Sequence, residues 1–184
     1  MGVIENDQRN EIIVKLTKAL LGAGEVVLIL IKKLKHGEEL LRRFDQEGIS
    51  TLMSSGANKI TKYEGGRISR AHGGTDKIKD QIESGALQVV IGSVIYGEGM
   101  DIPKLSAMIM AAAGKSDTQI IQRAYRAMTA SSGKDHSFIF DFMDATNPML
   151  RNQSNVRMKL YQDEDIRVVT QLPLTFRKLI GAPI

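Results

Sequence analysis

The sequence contains no cysteine and few aromatic residues, and each shortage excludes a class of function. Without cysteine there is no disulfide, thiolate nucleophile or cysteine-based zinc site, so a reducing, cytoplasmic setting is expected. Aromatic residues make up 5% of the chain, too few to predict a platform on which nucleobases stack. Apolar runs such as Val26 to Ile31 are far shorter than the ~20 residues of a membrane span, and no signal-peptide pattern opens the chain. No membrane partner is expected.

The sequence also lacks the phosphate-binding pattern G-x-x-x-x-G-K-[ST]. The tripeptide Gly114 to Ser116 reads GKS, but Ile109 occupies the place of the required first glycine. The acidic triplet Asp163 to Asp165 follows a polar helix and no buried strand, so it is interpreted as a solvated charge cluster and not as a magnesium site. The three histidines are separated in sequence and predict no metal site. By itself the chain is not expected to hydrolyse ATP.

The length and composition of the chain fit one globular domain. The chain has 184 residues, 42% of them hydrophobic, which is enough for a core. A net charge of +4 is compatible with a polyanionic partner but decides little alone. Residues 1–169 are assigned to the domain and residues 170–184 to a loose C-terminal tail.

Helical and buried-strand patterns alternate along the chain, which predicts an α/β fold with a parallel sheet. The segment from Ser54 to Gly74 is polar, basic and glycine-rich, and is predicted to be an irregular loop. The last helix is expected to bury Leu150, Val156 and Leu160 beneath a basic face that includes Arg157. Helices are predicted from Asp7 to Leu21, within His36 to Gly48, after a Thr75 cap, after Ser116 and from Pro148 to Gln162; strands are predicted within Glu25 to Ile31, Ile49 to Met53, Leu87 to Ser93, Ser106 to Ala112 and His136 to Phe142.

Two segments carry candidate chemistry. In the helix opened by Ser116, the apolar side includes Met128, and Gln122, Arg123 and Arg126 lie on the other side, where a solvated basic face is the alternative. The loop Ile91 to Pro103 follows a buried strand at the edge where open α/β sheets bind ligands. Its glycines allow close backbone approach, and its polar side chains can meet a phosphate or a ribose; a glycine-containing turn capped by Asp101 is the alternative.

The order of these segments resembles the second RecA-like domain of superfamily 2 helicases, in the bacterial and phage type-III-restriction-like or repair helicase group. "VLILIKK" resembles the strand of motif IV, Gly92 to Pro103 resembles motif V, and Gln122 to Arg126 resembles most of motif VI. The resemblance implies a RecA-like three-layer domain, with a mostly parallel central sheet and helices on both faces. It also implies a helicase C-terminal motor domain acting on DNA, in repair, recombination, replication restart or restriction, with RNA as an open alternative.

The resemblance further implies a role for each matching residue. Arg126 would be the arginine finger that reaches the γ-phosphate of ATP, and Gln122 would link the nucleotide cleft to the motor's conformation. ATP with Mg²⁺ would be held mainly by a missing N-terminal RecA-like domain that carries the phosphate loop. The other implied positions are Gly99, Asp101 and Arg123 for the nucleotide, and Gly92, Ser93, Lys32 and Lys33 for the nucleic-acid backbone.

Two departures from the family pattern keep other functions open. Tyr125 replaces a glycine, and Thr129 replaces an outer arginine; since an arginine finger is worth about 10³ to 10⁵ in rate, that loss matters. Either Arg126 alone serves, or a lysine such as Lys115 or Lys134 substitutes. The second hypothesis is a non-catalytic, degenerate RecA-like module that binds nucleic acid or a protein. A third is an unrelated nucleotide-binding α/β domain.

Overall fold

Helices and strands alternate along the chain much as the hydrophobic pattern predicts. The computed structural model describes residues 6–55, 59–73, 75–93, 104–112, 122, 128, 137–143, 147–172 and 174–180. The helices are α1 (Asp7–Gly22), α2 (Leu34–Gln46), α3 (Thr75–Glu83), α4 (Pro148–Asp163) and α5 (Leu174–Ile180), and the strands are β1 (Val26–Ile31), β2 (Thr51–Ser55), β3 (Lys59–Glu64), β4 (Arg67–His72), β5 (Val89–Ser93), β6 (Leu105–Met110) and β7 (Phe138–Asp141).

The strands form a seven-stranded sheet in the order β4-β3-β2-β5-β1-β6-β7. β2, β5, β1, β6 and β7 are parallel, and β3 and β4 are antiparallel additions at one side. All residues of β1, β5 and β6 are buried, as expected of parallel strands covered on both faces. The predicted mostly parallel sheet is confirmed.

Two apolar clusters separate the sheet from its helices. Ile13 and Leu20 of α1 and Phe44 of α2 pack on one face, against Val27, Ile29 and Ile31 of β1. The other face packs against α3 and α4 through residues that include Ile78, Ile82 and Tyr161. The domain is therefore a three-layer structure with helices on both faces of the sheet.

The prediction of an irregular loop from Ser54 to Gly74 is wrong. This segment contains β3 and β4, which form a hairpin around Gly65 and Gly66. Both glycines have positive φ angles, 58° and 82°, as a two-residue hairpin turn requires. The Gly-Gly pair between two six-residue segments was the available signal, and its polar composition obscured it.

The expected packing of α4 is wrong in part, because Leu160 packs against the core as expected but Val156 and Arg157 do not follow the prediction. Arg157 is fully buried and Val156 is 36% exposed. Arg157 Nε donates to Asp141 Oδ2 at 2.7 Å, and the Tyr161 hydroxyl donates to the same oxygen at 2.9 Å. Helical periodicity indicates which face of a helix an arginine occupies, but it gives no signal of an acidic partner on another element. Here Asp141 of β7 makes the burial of Arg157 possible.

Helix α5 lies within the segment assigned to the tail. Its Phe176 ring contacts Phe138 and Phe140 of β7, at centroid distances of 6.3 Å and 5.5 Å. The division at residue 169 stays a prediction. Within the described segments, none of the helices combines the length and apolar content needed to cross a membrane.

Candidate functional site

The carboxyl ends of β1 and β5 bring two predicted sites together. Ile31, the last residue of β1, pairs with Ser93, the last residue of β5. Lys32 and Lys33 follow Ile31 directly and are exposed. The predicted nucleic-acid contacts Gly92, Ser93, Lys32 and Lys33 are thus neighbours at one edge of the sheet.

The side chain of Ser93 is buried beside the start of α2. Ser93 is 2% exposed, and its hydroxyl has no hydrogen-bond partner among the described residues. Ser93 lies on the same sheet face as Ile91, two residues earlier. A Cβ placed on Gly37, in the first turn of α2, would be 3.5 Å from Ile91 Cγ2. The hydroxyl therefore lies close to the first turn of α2. An unpartnered buried polar group costs roughly 1–3 kcal/mol.

The N-terminus of α2 favours an anion. Lys33 is the N-cap residue and makes no side-chain capping hydrogen bond, and the first turn contains no acidic residue. The first amides of a helix have no intrahelical acceptor, and the helix dipole adds a partial positive charge there. Together with the ammonium groups of Lys32 and Lys33, this end of α2 fits a phosphate.

The acidic residues further along α2 are neutralised by arginines. Glu39 accepts hydrogen bonds from Arg42 and Arg43, and the bond from Arg42 lowers the pKa of its carboxyl group. Glu38 Oε1 pairs with Arg70 Nη2 of β4 at 2.5 Å. These pairs reduce the repulsion that a polyanion at the start of α2 would meet.

A buried hydrogen bond fixes the first turn of α2 against α1. His36 is 2% exposed, and its Nε2 lies 2.9 Å from Asn10 Oδ1. Burial, followed by the charge of Arg9, lowers the pKa of His36 from 6.5 to about 4. The imidazole is therefore neutral at pH 7 and donates to Asn10. Asn10 lies 26 residues from His36 in the sequence, so the local pattern gives no signal of this hydrogen bond.

The helix predicted to carry motif VI is described at two positions. Gln122 and Met128 are helical. Met128 is fully buried in the core, as the predicted apolar side requires. Gln122 is half-buried, and its Nε2 donates to Glu164 Oε1 at 2.7 Å. Glu164 was interpreted as part of a solvated acidic cluster, and that interpretation is wrong for this residue.

Several predicted site residues lie outside the described residues. They are Gly99, Asp101, Arg123 and Arg126, together with the departures Tyr125 and Thr129 and the candidate substitutes Lys115 and Lys134. Their predicted roles stay predictions. Among the described residues, no group of three or more histidine, aspartate or glutamate side chains is placed to hold a metal ion.

Comparison with known proteins identifies the family. The helicase conserved C-terminal domain matches residues 8–131. "Probable helicase D10" of Escherichia phage T5 is 24% identical over 172 residues, which are 93% of this chain and 35% of that protein. The chain spans between 14% and 35% of the length of the curated relatives it matches.

Solved structures show the same fold. UvsW of phage T4 matches with a TM-score of 0.65 and 18% identity, over 88% of this chain and 34% of that one. Dbp5 L327V of S. cerevisiae, bound to RNA and ADP BeF3, matches with a TM-score of 0.60 and 16% identity, over 93% of this chain and 42% of that one. The chain belongs to the helicase conserved C-terminal domain family, and its fold is the RecA-like fold of helicase C-terminal domains.

Proposed function

We propose that the chain is the second motor domain of an ATP-dependent helicase or translocase that acts on DNA. In this function it supplies the arginine finger and part of the track that holds the nucleic acid. The observation that carries the proposal is the unpartnered Ser93 hydroxyl, buried beside the N-terminus of α2 and next to Lys32 and Lys33.

The track would bind the phosphates of the nucleic acid and would not recognise its bases. Ser93 donates its hydroxyl hydrogen, the first amides of α2 donate theirs, and Lys32 and Lys33 add charge, so each partner addresses a phosphate oxygen. Such contacts carry no sequence information, and their strength falls as salt rises. A motor that moves along a strand needs this kind of grip, because it must hold every sequence it meets.

The nucleotide would be held mainly by an N-terminal RecA-like domain that carries the phosphate loop. ATP bound there with Mg²⁺ would supply the phosphoanhydride bond whose hydrolysis drives the motor. From this chain, Gly99, Asp101 and Arg123 would contact the nucleotide, and Arg126 would reach its γ-phosphate.

Gln122, which would link the nucleotide cleft to the motor's conformation, lies among the described residues. It is half-buried on a helix, with its polar end held by Glu164. Closing the two domains would bring the face of that helix to the nucleotide, and reopening would release it. Alternating closure and grip would move the domain along its strand.

The second candidate function is a degenerate RecA-like module that holds nucleic acid or a protein without hydrolysis. Tyr125 and Thr129 favour it, because they stand where the family pattern has a glycine and an arginine. The module would keep the phosphate site at Ser93 and would show no DNA-stimulated ATP hydrolysis.

Two measurements test the proposal. The first compares binding of labelled oligo(dT) and oligo(U) at low salt by the wild-type chain and by a double variant that combines Ser93→Ala with Lys33→Ala. The double variant is expected to bind about tenfold more weakly, and wild-type binding by this variant would overturn the track.

The second measurement is DNA-stimulated ATP hydrolysis by the polypeptide that joins this chain to its N-terminal domain. Arg126→Ala should reduce the rate by about 10³-fold or more; an unchanged rate would show that Arg126 is not the arginine finger, and no DNA-stimulated hydrolysis by the unaltered polypeptide would favour the module.

A further inference from the structure

The hairpin formed by β3 and β4 is a basic extension at one side of the sheet. β4 is the outermost strand, and all six of its residues are exposed. Residues 59–72 contain four lysines and arginines against one glutamate, a net charge of +3. Charged side chains protect an exposed strand from pairing with other chains. Two of the four basic residues, Lys59 and Arg70, lie at one end of the hairpin, and the other two, Lys62 and Arg67, lie towards its turn.

The strand register places that end at the edge that holds Ser93. Ser54 of β2 pairs with Gly92, and Ser55 pairs with Lys59, the first residue of β3. Lys59 in turn pairs with His72, the last residue of β4. Lys59 and His72 are therefore level with the carboxyl ends of β5 and β1, while the Gly65–Gly66 turn lies roughly 20 Å away at the opposite edge.

The same end faces the side of the sheet that carries α2. Arg70 reaches Glu38 of α2, and the register pairs Arg70 with Thr61. Lys59 and His72 lie two residues further along their strands, so they share that face. It is also the face of Ser93 and the N-terminus of α2. Lys62 and Arg67 alternate onto the other face, towards the turn.

We propose that Lys59, Arg70 and His72 extend the phosphate track beyond the Ser93 site. A single strand held at Lys32, Lys33 and Ser93 would continue across β2 and reach the hairpin. β4 is four strands from β1 in the sheet order, a span of roughly 19 Å. The Arg70 guanidinium has five N–H donors, so its pairing with Glu38 leaves others to meet a phosphate.

This inference rests on the proposed track, and the hairpin supplies its own matched control. Lys59→Ala with Arg70→Ala removes two positive charges at the carboxyl edge. Lys62→Ala with Arg67→Ala removes two from the other end and face of the same hairpin. Binding of fluorescent oligo(dT) by the chain is measured by anisotropy at several salt concentrations, and thermal unfolding verifies that each variant is folded.

The edge variant is expected to bind about tenfold more weakly than wild type at low salt. Its slope of log affinity against log salt should be shallower by about 1.4, since each lost single-strand phosphate contact removes about 0.7. The control variant should keep most of the affinity and slope. Equal losses in the two hairpin variants, or no loss in either, overturn the extension.

The track variant Ser93→Ala with Lys33→Ala separates the two proposals. If it loses binding while the edge variant binds like wild type, the track stands and the extension is wrong. If the edge variant loses binding while the track variant does not, the hairpin is no continuation of that track, and both proposals fail.

Discussion

Gln122 donates a hydrogen bond from its side-chain amide to Glu164 at 2.7 Å, joining the helix of the predicted motif VI to the end of α4. Glu164 is the C-cap residue of α4, and its own amide donates to Leu160. α4 is held to the sheet by the buried pair of Arg157 with Asp141. The orientation of Gln122 is therefore set by a helix that is fixed on the strand next to it.

The first prediction concerns Glu164 as a positioning residue. Glu164→Ala removes the acceptor of a charge-assisted hydrogen bond, so Gln122 would sample other rotamers during closure. In the joined motor, kcat should fall about fivefold to tenfold, with a smaller change in KM for ATP. Steady-state ATPase assays measure both.

Glu164→Gln and Asp163→Ala are the controls for this prediction. Glu164→Gln keeps an acceptor oxygen and should recover much of the rate. Asp163 is an exposed neighbour, and its loss removes the same charge without touching Gln122. A similar fall in kcat for Asp163→Ala would show that charge, and not position, matters.

The second prediction concerns the pH dependence of stability. The folded-state pKa of His36 is about 4, below its usual 6.5. Because folding favours the neutral imidazole, the contribution is complete above pH 6.5 and is lost as pH falls towards 4. Between pH 7.5 and pH 5, the free energy of unfolding should decrease by about 2 kcal/mol from this group.

Urea unfolding at the two pH values measures this decrease. His36→Gln replaces the titrating ring with an amide that can still donate to Asn10. The loss of stability on acidification should therefore be about 2 kcal/mol smaller in the variant. Equal losses in wild type and variant would show that folding does not lower the pKa of His36.

The central sheet is predictable from sequence because buried strands have a simple pattern. Val26 to Ile31 is apolar at every position, and the structure buries every position. The helix α1 begins at Asp7 with Asn6 as its cap, since Asn6 Oδ1 accepts from the amide of Arg9. These are local signals, and local sequence contains them.

The contacts that complete the site are long-range, and periodicity does not contain them. Glu164 is 42 residues from Gln122, and Arg70 is 32 residues from Glu38. Arg157 has the spacing of an ordinary amphipathic helix, yet it is buried because Asp141 ends the strand beside it. Such partners depend on the order of strands in the sheet, which the sequence patterns leave undetermined.

The third prediction concerns Gly37, which lets α2 approach the sheet beside Ser93. A Cβ at Gly37 would overlap Met53 Sδ and lie 2.6 Å from Ile31 Cδ1. Both side chains are buried, so they have little room to move aside. Gly37→Ala should lower the free energy of unfolding by about 1–3 kcal/mol through overpacking, although alanine is the better helix former by about 1 kcal/mol.

Gly22→Ala is the matched control, because it makes the same change at the last residue of α1 with nothing within 4 Å of the added atom. It should leave stability unchanged or raise it by up to about 1 kcal/mol. Urea unfolding compares the two variants. Displacement of α2 should also weaken oligo(dT) binding by Gly37→Ala, since the helix amides would move away from Ser93. If Gly37→Ala were as stable as Gly22→Ala and bound oligo(dT) like wild type, close packing of α2 would not determine the geometry of the phosphate site.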